Sequence, residues 1–301
     1  MAENEPRRLS RRLIFKLKYY AKRLAARLVF LLCGDKKMKL SEKKFFLLDM
    51  DGTIYLDDTL FDGTIDFLNE IRARGGKYLF VTNNSSKSTE AYVKKLSRIG
   101  ITATEDDFLT STDATILYIQ DKYPGRKFYS FGTESFTKQL GDAGIDVTTE
   151  LCDGIFGLVM GNDNELSFKK LEDACKLLLG DVEYIATNPD WVCPTSFGYV
   201  PDCGSVAEML WRATGKRPHF IGKPRPEMLT LAMSKYRYTA EESVMVGDRV
   251  YTDIASGYNA GIDTVFVLSG EGTVADAEAS DTKPTYIMEN IRELYNSILR
   301  K

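Results

Sequence analysis

From residue 44 onward, short uninterrupted apolar runs alternate with stretches in which apolar residues recur every three or four positions. Uninterrupted runs fit strands buried on both faces, and the three-to-four spacing fits helices with one buried stripe. Strands are predicted at 45–48 (FFLL), 77–84 (KYLFVTNN), 243–248 (SVMVGD) and 263–270 (DTVFVLSG). A helix is predicted over 61–74, with Ile65, Leu68 and Ile71 on one face and Gly75-Gly76 ending it. A second is predicted over 88–99, closed by Gly100, and a third near 252–260. Between 111 and 219 the same alternation repeats on a smaller scale. There, strands are expected at 127–132, 155–161 and 182–188, and helices at 113–122, 136–143, 167–179 and 205–214.

Alternating strands and helices with continuous apolar strands imply an α/β fold, with a Rossmann-like parallel-sheet core covered on both faces. The expected division is a core of residues 41–112 and 218–301 interrupted by an inserted α/β domain, residues 113–217. In such sheets ligands gather at the carboxyl ends of the strands, where Asp49, Thr82 and Asp248 fall.

The first 40 residues follow a different pattern and form a separate N-terminal extension. Read as a helix over 8–32, the segment places Leu9, Leu13, Leu17, Tyr20, Leu24, Leu28 and Leu31 on one face. Arg8, Arg11, Arg12, Lys16, Lys18, Lys22, Arg23 and Arg27 occupy the other half, giving a basic amphipathic helix. Its apolar run Leu28 to Cys33 is too short to span a bilayer, and the interleaved charges argue against a signal peptide. Three readings compete: an in-plane anchor on an anionic membrane surface, a helix packed on its own body or a partner, and a basic arm binding nucleic acid loosely. The first is preferred, and no specific nucleic-acid partner is expected. Residues 34–39 (GDKKMK) read as the linker.

Charge sharpens this contrast. Residues 1–44 hold 14 Lys/Arg against four acids, so with a net charge of −3 for the whole chain the remainder carries −13. Five scattered cysteines without a CxxC pair argue against a disulfide framework and for a reducing, cytoplasmic compartment, and the basic head allows peripheral attachment at the inner membrane face. His219 is the single histidine, which nearly excludes His-based metal sites and Ser-His or Cys-His catalysis. Chemistry must rest on carboxylates, lysine, hydroxyls and backbone amides.

Four short stretches could supply it. In FFLLDMDGTIYLDD, residues 45–58, a buried strand runs into Asp49 and Asp51 and is then broken by Gly52. Taken alone this is a weak signal, because turn-forming aspartates are common. In FVTNNSS, residues 80–86, a strand opens into a loop rich in hydroxyls and amides that suits an anion, although Ser86 or Ser88 also fits a plain helix N-cap. In IGKPRPEM, residues 221–228, Lys223 precedes a proline and a helix and can neutralise phosphate. In MVGDRVYTDI, residues 245–254, another strand ends in Asp248, with Asp253 one turn on. All four in this order on strand ends are far more specific than any one of them.

Together, Asp49-Met50-Asp51-Gly52-Thr53, Thr82, Lys223 and the pair Asp248 and Asp253 make this sequence resemble the haloacid dehalogenase-like phosphohydrolase superfamily. TNNSS, ATNPD, GKPRPE and GDRVYTDI look more narrowly like its NagD / 4-nitrophenylphosphatase branch. The resemblance spans roughly 43–297. It implies a Mg²⁺-dependent phosphatase of small phosphorylated metabolites such as sugar phosphates, with Asp49 as the nucleophile that forms an aspartyl-phosphate. By the same resemblance Asp51 is the general acid and base, oriented by Thr53. Thr82, Asn83, Asn84 and Lys223 hold the phosphoryl oxygens. Mg²⁺ lies among Asp49, the backbone carbonyl of Asp51, and Asp248, with Asp253 in support. The inserted domain resembles the cap of this branch, and caps there often pair into homodimers. NPDWVCPTSFGYVPDCGS, residues 188–205, is expected to face the site, with Asn188, Asp190 and Trp191 toward the leaving group; a structured proline-rich loop is the plainer reading. His219 is expected to be structural. Two other functions are weighed: a membrane-tethered scaffold of the same fold with little turnover, and phosphoryl transfer to another sugar.

Overall fold

A computed structural model describes residues 38–85, 89–195 and 198–299. The expected N-terminal helix over 8–32, the linker before residue 38 and the alternative caps Ser86 and Ser88 lie outside the described residues.

The strand Phe45–Leu48 is the centre of a six-stranded parallel sheet. Its order runs Tyr286–Met288, Asp263–Val267, Ser243–Gly247, Phe45–Leu48, Lys77–Thr82, Phe108–Thr110. Leu48 sits in register with Val246 on one side and Phe80 on the other. Because strand side chains alternate, Phe46 and Leu48 enter one apolar layer, with Phe67 and Ile71 of helix Thr64–Ala73 and Leu294 of helix Ile291–Leu299. Phe45 and Leu47 enter the opposite layer, with Met228 and Leu229 of helix Glu227–Tyr236. All four side chains of the central strand are buried, each contributing about 2 kcal/mol relative to exposure. That burial fixes the place where the strand ends.

A second parallel sheet has the order His219–Phe220, Glu183–Ala186, Ile155–Met160, Lys127–Phe131, Val147–Thr148. Its Phe128, Val159 and Ile185 share the apolar layer that holds Phe45 and Leu47, so the two sheets are joined by common packing. The edge strand His219–Phe220 lies just past the expected boundary at 217.

The predicted elements recur with shifted ends. The first helix starts at Thr64 rather than residue 61, because Gly63 is left-handed (φ 87°) and Thr59–Leu60 forms a small hairpin with Tyr55–Leu56. The helix expected from 205 starts at Cys203, where the Asp202 carboxylate caps it. The helix expected near 252 begins as a π-helical turn, Val250–Ile254, before Ala255–Ala260. The edge strands Phe108–Thr110 and Tyr286–Met288 were not anticipated, since three residues carry too little pattern to detect.

Candidate active site

Three neighbouring strands end at one point. Asp49 follows Phe45–Leu48, and its N–H donates to the Val246 carbonyl (2.9 Å). Asp248 follows Ser243–Gly247, and Thr82 closes Lys77–Thr82. The π-helical turn then folds Asp253 back beneath the strand end, where its carboxylate accepts from Arg249 N–H (3.1 Å). Gly247 permits this approach, since a Cβ there would lie 2.3 Å from Asp253 Cβ.

Carboxylate oxygens of Asp49, Asp248 and Asp253 all lie within 4.8 Å of one another. Asp248 is fixed by Glu271 N–H (2.8 Å) and Thr53 Oγ1 (3.3 Å). Gly52 and Gly270 crowd it so closely that a Cβ would fall 2.5 Å and 2.0 Å from its Oδ2. Lys223, 2 % exposed, places its Nζ 2.6 Å from Asp49 Oδ1, 2.7 Å from Asp253 Oδ1 and 3.0 Å from the Val81 carbonyl. Asp253 Oδ1 has this ion pair but no well-aligned hydrogen bond.

The electrostatics follow from three clustered acids, two of which, Asp49 and Asp253, share one buried ammonium. Burial holds the Asp49 carboxyl well above its usual range, against the pull of Lys223, and Asp253 and Asp248 push the same way. Asp248 is pushed up to about 6, first by burial and then by Asp253. For Lys223, burial favours the neutral amine, but the charges of Asp253 and Asp49 outweigh it and the ammonium is held more firmly than usual. Surplus negative charge, hard oxygen donors and enforced proximity suit a small divalent cation.

The cluster opens into a cavity of about 100 Å³ lined by Asp51, Thr82, Asn84, Asp190, Cys193 and Arg249 among others. A larger cavity of about 430 Å³ adjoins it, sharing Asp190, Val192, Arg249 and Thr252 and adding Trp191 and Tyr251.

Most of the chain is similar to known proteins. Residues 46–146 match the family model of haloacid dehalogenase-like hydrolases, and 220–294 match a HAD-hydrolase-like model. An acid sugar phosphatase of Staphylococcus aureus is 33% identical over 254 residues, covering 84% of this chain and 97% of its own. A 4-nitrophenylphosphatase structure from Thermotoga maritima aligns with a TM-score of 0.80 at 36% identity, over 86% of this chain and 98% of its own. The chain belongs to the haloacid dehalogenase-like hydrolase superfamily. Its solved neighbours are of the NagD and 4-nitrophenylphosphatase kind. A glycerol phosphate phosphatase from Mycobacterium tuberculosis, solved in complex with magnesium, aligns with a TM-score of 0.78 at 30% identity, over 85% and 78% of the two chains. This HAD-like hydrolase is a phosphoric monoester hydrolase.

Within the HAD-like site, the residues singled out from the sequence are not all brought together. Asp49, Thr82, Lys223, Asp248 and Asp253 converge at the strand ends. Asp51 stands apart from the acid trio: its exposed carboxylate accepts from Tyr55 OH (3.2 Å) and pairs with Lys95 (3.5 Å). Thr53, expected to orient Asp51, donates to Asp248 instead. The Asn84 N–H donates to Thr82 Oγ1 (3.2 Å).

The residues singled out in the loop 188–205 divide as well. Asp190 lines the cavity, whereas Asn188 is fully buried and donates to the Asn83 carbonyl (3.0 Å). The Trp191 side chain is exposed in the adjoining cavity. His219 pairs with Glu227 (2.9 Å) and stacks on Tyr118, a structural place. Sequence reasoning missed Arg249 and Asp202, both of which line the cavity. Arg249 stands beside Asp248 in the quoted motif, but its reach into the site is set by its pairing with Glu271 (2.9 Å), which no local pattern shows.

Proposed function

We propose that this chain is a Mg²⁺-dependent phosphatase of small phosphate monoesters, sugar phosphates and similar metabolites, working through an aspartyl-phosphate on Asp49. The observation that carries this is the meeting of Asp49, Asp248, Asp253 and Lys223 at the end of the central strand. The donor set fits Mg²⁺, which Asp49, Asp248 and the Asp51 carbonyl would hold, with Asp253 in support. When bound, the ion supplies charge neutralisation for the phosphoryl group and the attacking carboxylate.

The remaining chemistry belongs to the chain. A strand buried on both faces holds Asp49 at a fixed point for in-line attack on phosphorus, which removes much of the entropic barrier. Lys223 and Thr82 bind phosphoryl oxygens and stabilise charge that develops in the transition state. Asp51, the exposed carboxyl of the set, protonates the departing alkoxide. It then takes a proton from the water that attacks phosphorus of the acyl phosphate, so that the P–O bond to Asp49 breaks, the carboxylate reforms and phosphate is released. Residues 113–217 serve as the cap, with Asp190 bordering the leaving group and limiting water access. The leaving group extends into the adjoining 430 Å³ cavity beside Trp191 and Tyr251.

The basic head, residues 8–32, is proposed to hold the enzyme against an anionic membrane surface. No helix among the described residues is long and apolar enough to cross a membrane.

The function is tested with 4-nitrophenyl phosphate, and with a panel of sugar phosphates, in Mg²⁺ and in EDTA. Acid quenching in a single turnover should trap phosphate on Asp49. Turnover no higher than that of an Asp49→Asn control would leave a scaffold role as the better reading.

A further inference from the structure

The group of Asn83 expected to meet phosphate is its backbone N–H. Its side chain is engaged elsewhere. Asn83 Oδ1 accepts from Lys223 N–H (2.8 Å), and Asn83 Nδ2 donates to the Lys223 carbonyl (2.8 Å). One carboxamide thus pairs with both backbone polar groups of the lysine whose ammonium sits on Asp49. The same Nδ2 lies 3.1 Å from each carboxylate oxygen of Asp190, on the cap loop. The Asn83 carbonyl is tied down too, by Ser111 Oγ (2.7 Å) and Asn188 Nδ2 (3.0 Å). Asn188 Oδ1 in turn accepts from Asp190 N–H (3.0 Å). Two links therefore run from Asp190 to residue 83, one through each residue's side chain and one through Asn188.

The packing leaves little freedom. Asn83 is buried, and a Cβ at Gly222 would stand 2.7 Å from Asn83 Oδ1 and from the Thr187 carbonyl. Lys223 follows directly, so its backbone is held on one side by the glycine's close approach and on the other by the carboxamide. Such pairing costs the most when half of it is removed, because a buried donor or acceptor is left unmatched.

From these contacts we infer that Asn83 is a positioning residue that couples the cap loop to the Lys223 ammonium: when Asp190 is docked, the lysine is set on Asp49. The inference rests on the phosphatase reading above. Asn83 acts through Lys223 and Asp190, and its own side chain does not contact phosphate.

The test is a swap. Asn83→Asp keeps the acceptor for Lys223 N–H, loses the donor to its carbonyl, and sets a carboxylate against Asp190. Asp190→Asn alone keeps the link, because an amide can accept from Asn83. In the double variant Asn83→Asp/Asp190→Asn, the carboxylate and the amide change places and the link reforms in reverse. With 4-nitrophenyl phosphate and Mg²⁺, Asn83→Asp should lose at least ~100-fold in kcat and Asp190→Asn less than ~10-fold, with the double variant regaining at least ~10-fold over Asn83→Asp. A double variant no better than Asn83→Asp overturns the inference, since a phosphate ligand or a purely structural asparagine gains nothing from a change at 190. Should Asn83→Asp fail to fold, Asn83→Ser carries the same readout. It should lower kcat while moving KM less than ~3-fold, whereas a raised KM with unchanged kcat marks direct substrate binding and overturns the proposal. A parent enzyme without turnover overturns the phosphatase reading along with this inference. Turnover in the parent with multiplying losses overturns this inference alone.

Discussion

Lys223 Nζ lies 2.6 Å from Asp49 Oδ1, bridging two residues 174 positions apart in the chain. The same Nζ lies 2.7 Å from Asp253 Oδ1, which comes from the π-helical turn Val250–Ile254. One ammonium thus draws two of the three clustered carboxylates from distant segments to one point.

Replacing Asp49 with Asn removes the proposed nucleophile and one of three mutually repelling carboxylates. Turnover of 4-nitrophenyl phosphate should fall by roughly 10³-fold or more. Thermal stability in EDTA should hold or rise, because burial and the neighbouring acids already disfavour the charge on Asp49. A large fall in melting temperature in EDTA would contradict this electrostatic account.

Lys223→Met has the opposite consequence for stability. It leaves Asp49 and Asp253 without their counter-ion, and breaking a buried pair this way costs about 3–5 kcal/mol. Urea unfolding in EDTA should report that loss. Mg²⁺ should raise the stability of the variant more than that of the parent, since the cation supplies the missing positive charge. An equal Mg²⁺ response in both proteins would refute the shared-charge picture.

Gly270→Ala tests how tightly Asp248 is placed. The new Cβ would fall 2.0 Å from Asp248 Oδ2, so the carboxylate must swing away. The Mg²⁺ concentration for half-maximal activity should rise about 10–100-fold, the range seen when groups that orient a metal ligand are disturbed. An unchanged Mg²⁺ titration would show that Asp248 is not held at the metal position by this loop.

Asp202 gives a pH signature apart from the cluster of Asp49, Asp248 and Asp253. Burial pushes its carboxyl up to about 6, above the ordinary value of 3.8. The folded chain therefore binds this proton more tightly than the unfolded chain, so the group's contribution to stability is full below about pH 4 and is lost as pH rises to about 6. The lost contribution is of the order of 3 kcal/mol at most. Asp202→Asn keeps the N-cap that accepts from Cys203 N–H (2.6 Å) and removes the titration. Melting temperatures from pH 4 to 7 should show the variant gaining on the parent as pH rises. Parallel curves would mean that Asp202 titrates normally.

Deleting residues 1–34 should abolish co-sedimentation with anionic vesicles while leaving turnover unchanged, because every residue of the proposed chemistry lies beyond the deletion. Binding that survives the deletion, or that ignores salt, would rule out an electrostatic anchor in this segment.

The sequence by itself determined what is local. An apolar run ending in Asp49, another ending in Asp248, a strand opening into Thr82 and a lysine before a proline are all written in consecutive residues, and strand ends are where such sheets present their ligand groups. The tertiary structure alone decided which of these meet and in what state. The Asn83 side chain braces the Lys223 backbone and reaches Asp190, partners that stand 140 and 107 residues away. Thr53 went to Asp248 rather than Asp51, at a separation of 195. Asn188 and Trp191, nearly adjacent in one loop, parted into core and surface. Burial, hydrogen-bond partnership and shifted proton affinity are properties of a neighbourhood, and the neighbourhood exists only once distant segments have packed together.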